Sequence, residues 1–145
     1  MPMSKSSQQR LFPILKDVSN HFGTPFHIYD ELGIRQTRAF SSIDGFQEYF
    51  AVKALPNPHI LSIIQSMGFG FDCSSTPELM LSRQVGTQGE SIMFTSNNTS
   101  PEEFERALAE GGCILNLDDI SLLAKLPTVP NLLCFRYNPG CAPCG

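Results

Sequence analysis

The chain has 145 residues, a net charge of −4 at pH 7, 41% hydrophobic residues and 17% charged ones. This is the size and composition of one globular domain with a real core, which excludes a disordered or fibrous chain. The acidic balance offers no basic face to nucleic acid or to an anionic membrane, and the apolar runs are strand-sized, too short to span a bilayer.

The first ten residues, Met-Pro-Met-Ser-Lys-Ser-Ser-Gln-Gln-Arg, contain no apolar signal core, so a cytoplasmic location is expected, with the five cysteines reduced. Asn97-Asn98-Thr99 matches a glycosylation acceptor, but without a secretory route the match carries no weight.

Residues 1–8 read as a frayed terminus. Leu11, Ile14, Leu15 and Val18 have helical spacing, and Asn20-His21-Phe22-Gly23 stops that helix. Thr24-Pro25 opens an expected short strand, Phe26–Tyr29. Asp30 is expected to cap a helix running to about Phe40, and Asp44-Gly45 turns the chain onward.

From residue 46 a repeat sets in. Strand Phe46–Lys53 precedes helix His59–Met67. Strand Gly70–Cys73 precedes a helix opening at Thr76-Pro77-Glu78, with a cap residue, a proline and a first-turn acid. Strand Ser91–Thr95 precedes helix Pro101–Glu110, with Ser100 and Glu103 spaced as a capping box. Gly111-Gly112 ends that helix. Strand Cys113–Leu117 precedes a short helix from Asp118 to about Leu123, and the last strand is Leu132–Arg136.

The first strand of the repeat carries the most chemistry. Tyr49-Phe50-Ala51-Val52 is short and rich in β-formers, so it reads as buried; Pro56 and Pro58 close the segment. Lys53 then stands at the carboxyl end of a buried strand. Half-sunk in an apolar wall, its ammonium loses hydration and its pKa falls, which suits Schiff-base chemistry. The alternative is a strand-end lysine that snorkels to solvent.

The strand ends fall at Lys53, Asp72, Thr95, Asn116 and Arg136, 19 to 23 residues apart. Such regular alternation predicts a βα repeat and a parallel sheet. Each strand ends in a polar or charged residue, at the edge where α/β sheets and barrels bind ligands. A wet loop after each strand would also explain any one of them. Five strands do not close a barrel of eight, so either the sheet is open or the chain is the front part of a larger protein. As a half-barrel, the chain alone would leave its first and fifth strands as unpaired edges, which predicts poor solubility or oligomers.

Four motifs now carry a resemblance: Tyr49-Phe-Ala-Val-Lys53-Ala-Leu-Pro-Asn-Pro58-His-Ile-Leu, Gly68-Phe-Gly-Phe-Asp72-Cys-Ser-Ser-Thr-Pro-Glu-Leu79, Met93-Phe-Thr-Ser-Asn-Asn-Thr99 and Cys134-Phe-Arg136-Tyr-Asn-Pro-Gly140. With the lead-in Phe22–Asp30, they resemble the fold-type III pyridoxal-phosphate decarboxylases over about residues 20–140, and within that group most of all the diaminopimelate decarboxylases. The resemblance implies an α/β fold: about five βα units from the N-terminal portion of a pyridoxal-phosphate-binding (β/α)8 barrel. Residues 1–22 would be a helical extension and 23–145 an incomplete barrel domain, without the family's C-terminal β-domain.

It implies pyridoxal 5'-phosphate as cofactor, Lys53 as the catalytic lysine condensing with its aldehyde, and Ala51, Asp72 and Arg136 as further cofactor-binding residues. Asp72 would otherwise be a helix-capping aspartate, and Arg136 a surface ion pair; His59 reads as a surface residue. The reaction implied is decarboxylation of meso-diaminopimelate to lysine, a small-molecule amino-acid substrate, by a homodimer at full length. Ornithine, arginine or another basic amino acid is the alternative substrate, and a non-catalytic pyridoxal-binding or degenerate fragment the alternative role. The phosphate-binding glycine loop and the residues that read the far end of the substrate lie beyond the chain in this family, so no turnover is expected from the chain alone. Cys141-Ala-Pro-Cys144 departs from the family pattern; it is a redox or zinc half-site, or chance spacing.

Overall fold

The computed structural model of the chain describes residues 3–37, 43–95 and 97–137. Three short helices come first. α1 (Lys5–Leu11) starts within the stretch expected to fray, because the Ser4 hydroxyl accepts from the Ser7 N–H and caps it. A 3₁₀ turn (Phe12–Ile14) leads into α2 (Leu15–Phe22). The expected strand Phe26–Tyr29 is not one: the segment is extended but pairs with no strand of the sheet. α3 (Glu31–Arg35) follows Asp30, and residues 38–40, the expected end of that helix, lie outside the described residues.

The remainder is the βα repeat. In order come β1 (Tyr49–Ala51), α4 (Pro58–Ser66), β2 (Gly70–Cys73), α5 (Thr76–Gln84), β3 (Gly89–Phe94), α6 (Pro101–Leu108), β4 (Cys113–Leu117), a 3₁₀ helix (Ile120–Lys125) and β5 (Leu133–Phe135). All strand pairs are parallel and the sheet order is β1-β2-β3-β4-β5. Local chemistry sets the helix limits. Asn57 caps α4 ahead of Pro58, and Ser100 and Glu103 complete the capping box of α6. Gly68 and Gly86 follow α4 and α5 at φ +89°, a conformation that lets each helix stop within two residues.

Two boundaries differ from expectation. The lysine strand ends at Ala51, and residues Val52–Ala54 form a 3₁₀ turn that swings the chain toward α4. The last helix, expected from Asp118 to about Leu123, runs Ile120–Lys125 and is capped by Asp119, whose carboxylate accepts from the Ser121 N–H at 2.7 Å. Asp118 is thereby free for another partner.

Sequential strand order and right-handed crossovers put α4, α5 and α6 on one face of the sheet. Phe71, Cys73, Ile92, Phe94, Leu115 and Leu117 bury against that layer, where Leu61, Leu79, Phe104 and Ala107 meet them. The alternate residues take the other face: Tyr49, Ala51, Gly70, Asp72, Met93, Asn116 and Cys134. Among the described residues no strand pairs the outer side of β1 or of β5, and no helix is long and apolar enough to cross a membrane.

Candidate active site

The carboxyl ends of the strands lie along one edge, and the parallel register brings their polar residues together. Ala51 stands opposite Asp72 and Asp72 opposite Met93, while Asn116 stands opposite Cys134. Across the edge runs a hydrogen-bonded row. The Thr95 hydroxyl donates to Asp72 Oδ1 at 2.9 Å, and Asn116 Nδ2 donates to the same hydroxyl at 3.2 Å. All three side chains are half-buried. Asp72 therefore does not cap the helix that follows it; Glu78 does that work, accepting from the Ser74 N–H and the Ser75 hydroxyl, each at 2.9 Å.

Lys53 lies on this edge but not as expected. It is exposed, on the turn after β1, and no apolar wall encloses it. The burial belongs to its neighbour Val52, which is fully covered. A wall around Lys53 would need groups standing opposite β1 across the inner face, and none is among the described residues.

Arg136, immediately after β5, is exposed and paired. Its Nε donates to Asp118 Oδ1 at 2.6 Å, its Nη2 forms the ion pair with the same carboxylate, and Nη2 also reaches Asn97 Oδ1 at 3.3 Å. His59 is exposed in the first turn of α4. Cys141 and Cys144 lie outside the described residues.

Asp118 and Asn97 were not singled out from sequence. Asp118 was read only as the start of the last helix; nothing local signals its pairing with Arg136, 18 residues away. Thr95 and Asn116 were visible as strand ends, but not as partners of Asp72.

Cysteine chemistry separates the two faces further. Cys73 is buried among the helices beside Ser82, and burial pushes its thiol up to about 12. Burial likewise pushes the Cys113 thiol up to about 11.

These residues fit the aldehyde end of pyridoxal phosphate. Lys53 offers a solvent-reachable primary amine, Ala51 a small side chain on the inner face, and Asp72 a carboxylate whose Oδ1 accepts from Thr95. The phosphate end finds no cradle here. Of the positive-φ glycines in the βα repeat, 68, 86, 111 and 112 lie in the turns that feed β2, β3 and β4, and Gly89 opens β3, all on the opposite edge.

Comparison with known proteins agrees with this geometry. The family model for the pyridoxal binding domain of pyridoxal-dependent decarboxylases matches residues 30–136. Protein TabA of Pseudomonas amygdali pv. tabaci is 47% identical over 144 residues, 96% of this chain and 34% of its own length. A diaminopimelate decarboxylase of Methanothermobacter thermautotrophicus is 31% identical over 132 residues, covering 85% of this chain and 31% of its own. Among solved structures, diaminopimelate decarboxylase from Helicobacter pylori complexed with L-lysine matches with a TM-score of 0.69 at 27% identity, over 77% of this chain and 29% of that one. The chain thus spans about a third of the length of the curated relatives it matches.

Proposed function

Because the chain belongs to the pyridoxal-dependent decarboxylases and carries the opening strands of their (β/α) barrel, we propose that it presents the cofactor lysine of an amino-acid decarboxylase. The observation that carries the reading is the exposed Lys53 amine at the end of β1, with Ala51 and Asp72 facing each other in register just below it. We propose meso-diaminopimelate as the substrate, which the relatives of that name support.

Bound pyridoxal phosphate supplies an electron sink for the pair left behind when carbon dioxide departs. The chain's own residues do the rest. Lys53 sits exposed on the turn after β1, so its amine would be the group that holds the cofactor's aldehyde end. Asp72, a carboxylate on the neighbouring strand, favours positive charge on whichever nitrogen occupies that place. Ala51 leaves the inner face of β1 low enough for a flat ring to approach. Arg136, fixed by Asp118 and Asn97, adds a cation at the β5 end of the same edge.

The test is chemical trapping. The chain is incubated with pyridoxal phosphate, reduced with borohydride and digested. Of its lysines, Lys5, Lys16, Lys53 and Lys125, the label is expected on Lys53 and is expected to vanish in Lys53→Ala. Label spread evenly over the four, or carried mainly by another lysine, overturns the assignment.

A further inference from the structure

Thr95 is the middle member of the row across β2, β3 and β4, and its geometry gives that row a direction. Its hydroxyl has one proton to give. Asn116 Nδ2 can only donate, so at 3.2 Å Thr95 Oγ1 accepts there. The Thr95 proton is left for Asp72 Oδ1, 2.9 Å away. The donors thus run one way, from Asn116 through Thr95 to Asp72, in half-buried surroundings that strengthen each link. Oδ1 of Asp72 is committed as an acceptor. Oδ2 takes no part in this row, so it is the oxygen the row leaves for a positive group.

We infer that Thr95 is a positioning residue for the pyridoxal site: oriented by Asn116, it locks the Asp72 carboxylate so that Oδ2 faces the nitrogen at the end of β1. This rests on the proposed function above and extends it to β3 and β4. Without the hydroxyl, the Asp72 carboxylate is free to rotate and take its hydrogen bonds from water. A row that merely satisfied three polar side chains would affect folding but would leave the charge state of the bound nitrogen unmoved.

The experiment titrates the visible absorbance of the pyridoxal–lysine adduct on the chain against pH, with borohydride trapping to confirm that Lys53 carries it. An anionic carboxylate held beside the nitrogen favours its protonated form, so loosening Asp72 lowers the titration midpoint. Thr95→Val, which keeps the shape and loses the hydroxyl, is expected to lower the midpoint by about one pH unit. Thr95→Ser is expected to restore it, and Asn116→Leu to shift it the same way by less. A Thr95→Val midpoint equal to that of the unmodified chain, with Lys53 still labelled, overturns the positioning role and leaves the pyridoxal reading standing. Absence of label from Lys53 in the unmodified chain overturns both. Should Thr95→Val fail to fold, Asn116→Leu decides: a lowered midpoint supports the role and an unmoved one overturns it.

Discussion

The ring of Tyr49 occupies the space that any side chain at position 70 would need. A methyl group on Gly70 would meet Tyr49 Cδ1 and Cε1 at 2.7 Å and the Ser91 carbonyl oxygen at 2.8 Å. The two residues are register partners, Tyr49 on β1 and Gly70 on β2. From there the Tyr49 hydroxyl donates to the Glu90 carbonyl at 2.6 Å, so one side chain spans three strands at the amino end of the inner face. Gly70→Ala is expected to destabilise the fold by about 1–3 kcal/mol, read as a lower urea midpoint. Trimming the ring with Tyr49→Ala in the same chain removes one obstacle and leaves the carbonyl, so it should not rescue the loss in full. An unchanged midpoint in Gly70→Ala would show that both the ring and the Ser91 carbonyl give way freely.

Acid should loosen the N-terminal helices first. The Arg10 guanidinium, together with the Ser7 hydroxyl, holds the Asp30 carboxyl well below the usual carboxylate range. A carboxyl depressed in the folded state contributes stability above its ordinary value of about 4, and that contribution is lost as the pH falls below it. Asp30→Asn is therefore expected to lower the melting temperature at pH 7 and to flatten its decline on the acid side. Equal acid slopes for the two chains would remove Arg10 and Asp30 from the account.

The cap of α6 and a core residue on it should differ severalfold in cost. Phe104 is 1% exposed in the layer between sheet and helices. Its truncation to Ala should cost about 3–5 kcal/mol. Ser100→Ala removes the hydroxyl that accepts from the Glu103 N–H and should cost about 1 kcal/mol. Chemical denaturation of both variants checks the ratio; similar losses would mean that α6 is held as much by its cap as by its packing.

Alkylation should read the layering directly. Burial pushes the Cys73 thiol up to about 12, which disfavours the reactive thiolate at pH 8. Iodoacetamide at that pH is expected to modify Cys134, half-buried on the inner face, before Cys73 or Cys113. In urea the three should react at similar rates. Early labelling of Cys73 in the folded chain would place β2 in a different layer.

Much of the fold was legible because it is locally encoded. The limits of β2 and β4 coincide with the runs Gly70–Cys73 and Cys113–Leu117, and Ser100 and Glu103 form the box their spacing predicts. What failed depends on distant partners. Phe26–Tyr29 has strand composition but no strand beside it. Adjacent aspartates 118 and 119 can each cap a helix, and the choice is made by Arg136, which takes Asp118. The site divides the same way. Spacing along the chain brought Lys53, Asp72, Thr95, Asn116 and Arg136 to one edge. The bonds joining Asp72, Thr95 and Asn116 come from register across strands, and the exposure of Lys53 from what stands opposite it in space.

The flanks of β1 and β5, which no strand pairs among the described residues, have a polarity. Because every strand points the same way, β5 of one molecule and β1 of another can join in parallel, head to tail, and such a union always leaves a fresh flank at each end. Joining like flanks about a twofold axis also leaves two exposed. Nothing in this geometry favours stopping at a dimer, so light scattering should keep growing with concentration instead of levelling at twice the monomer mass.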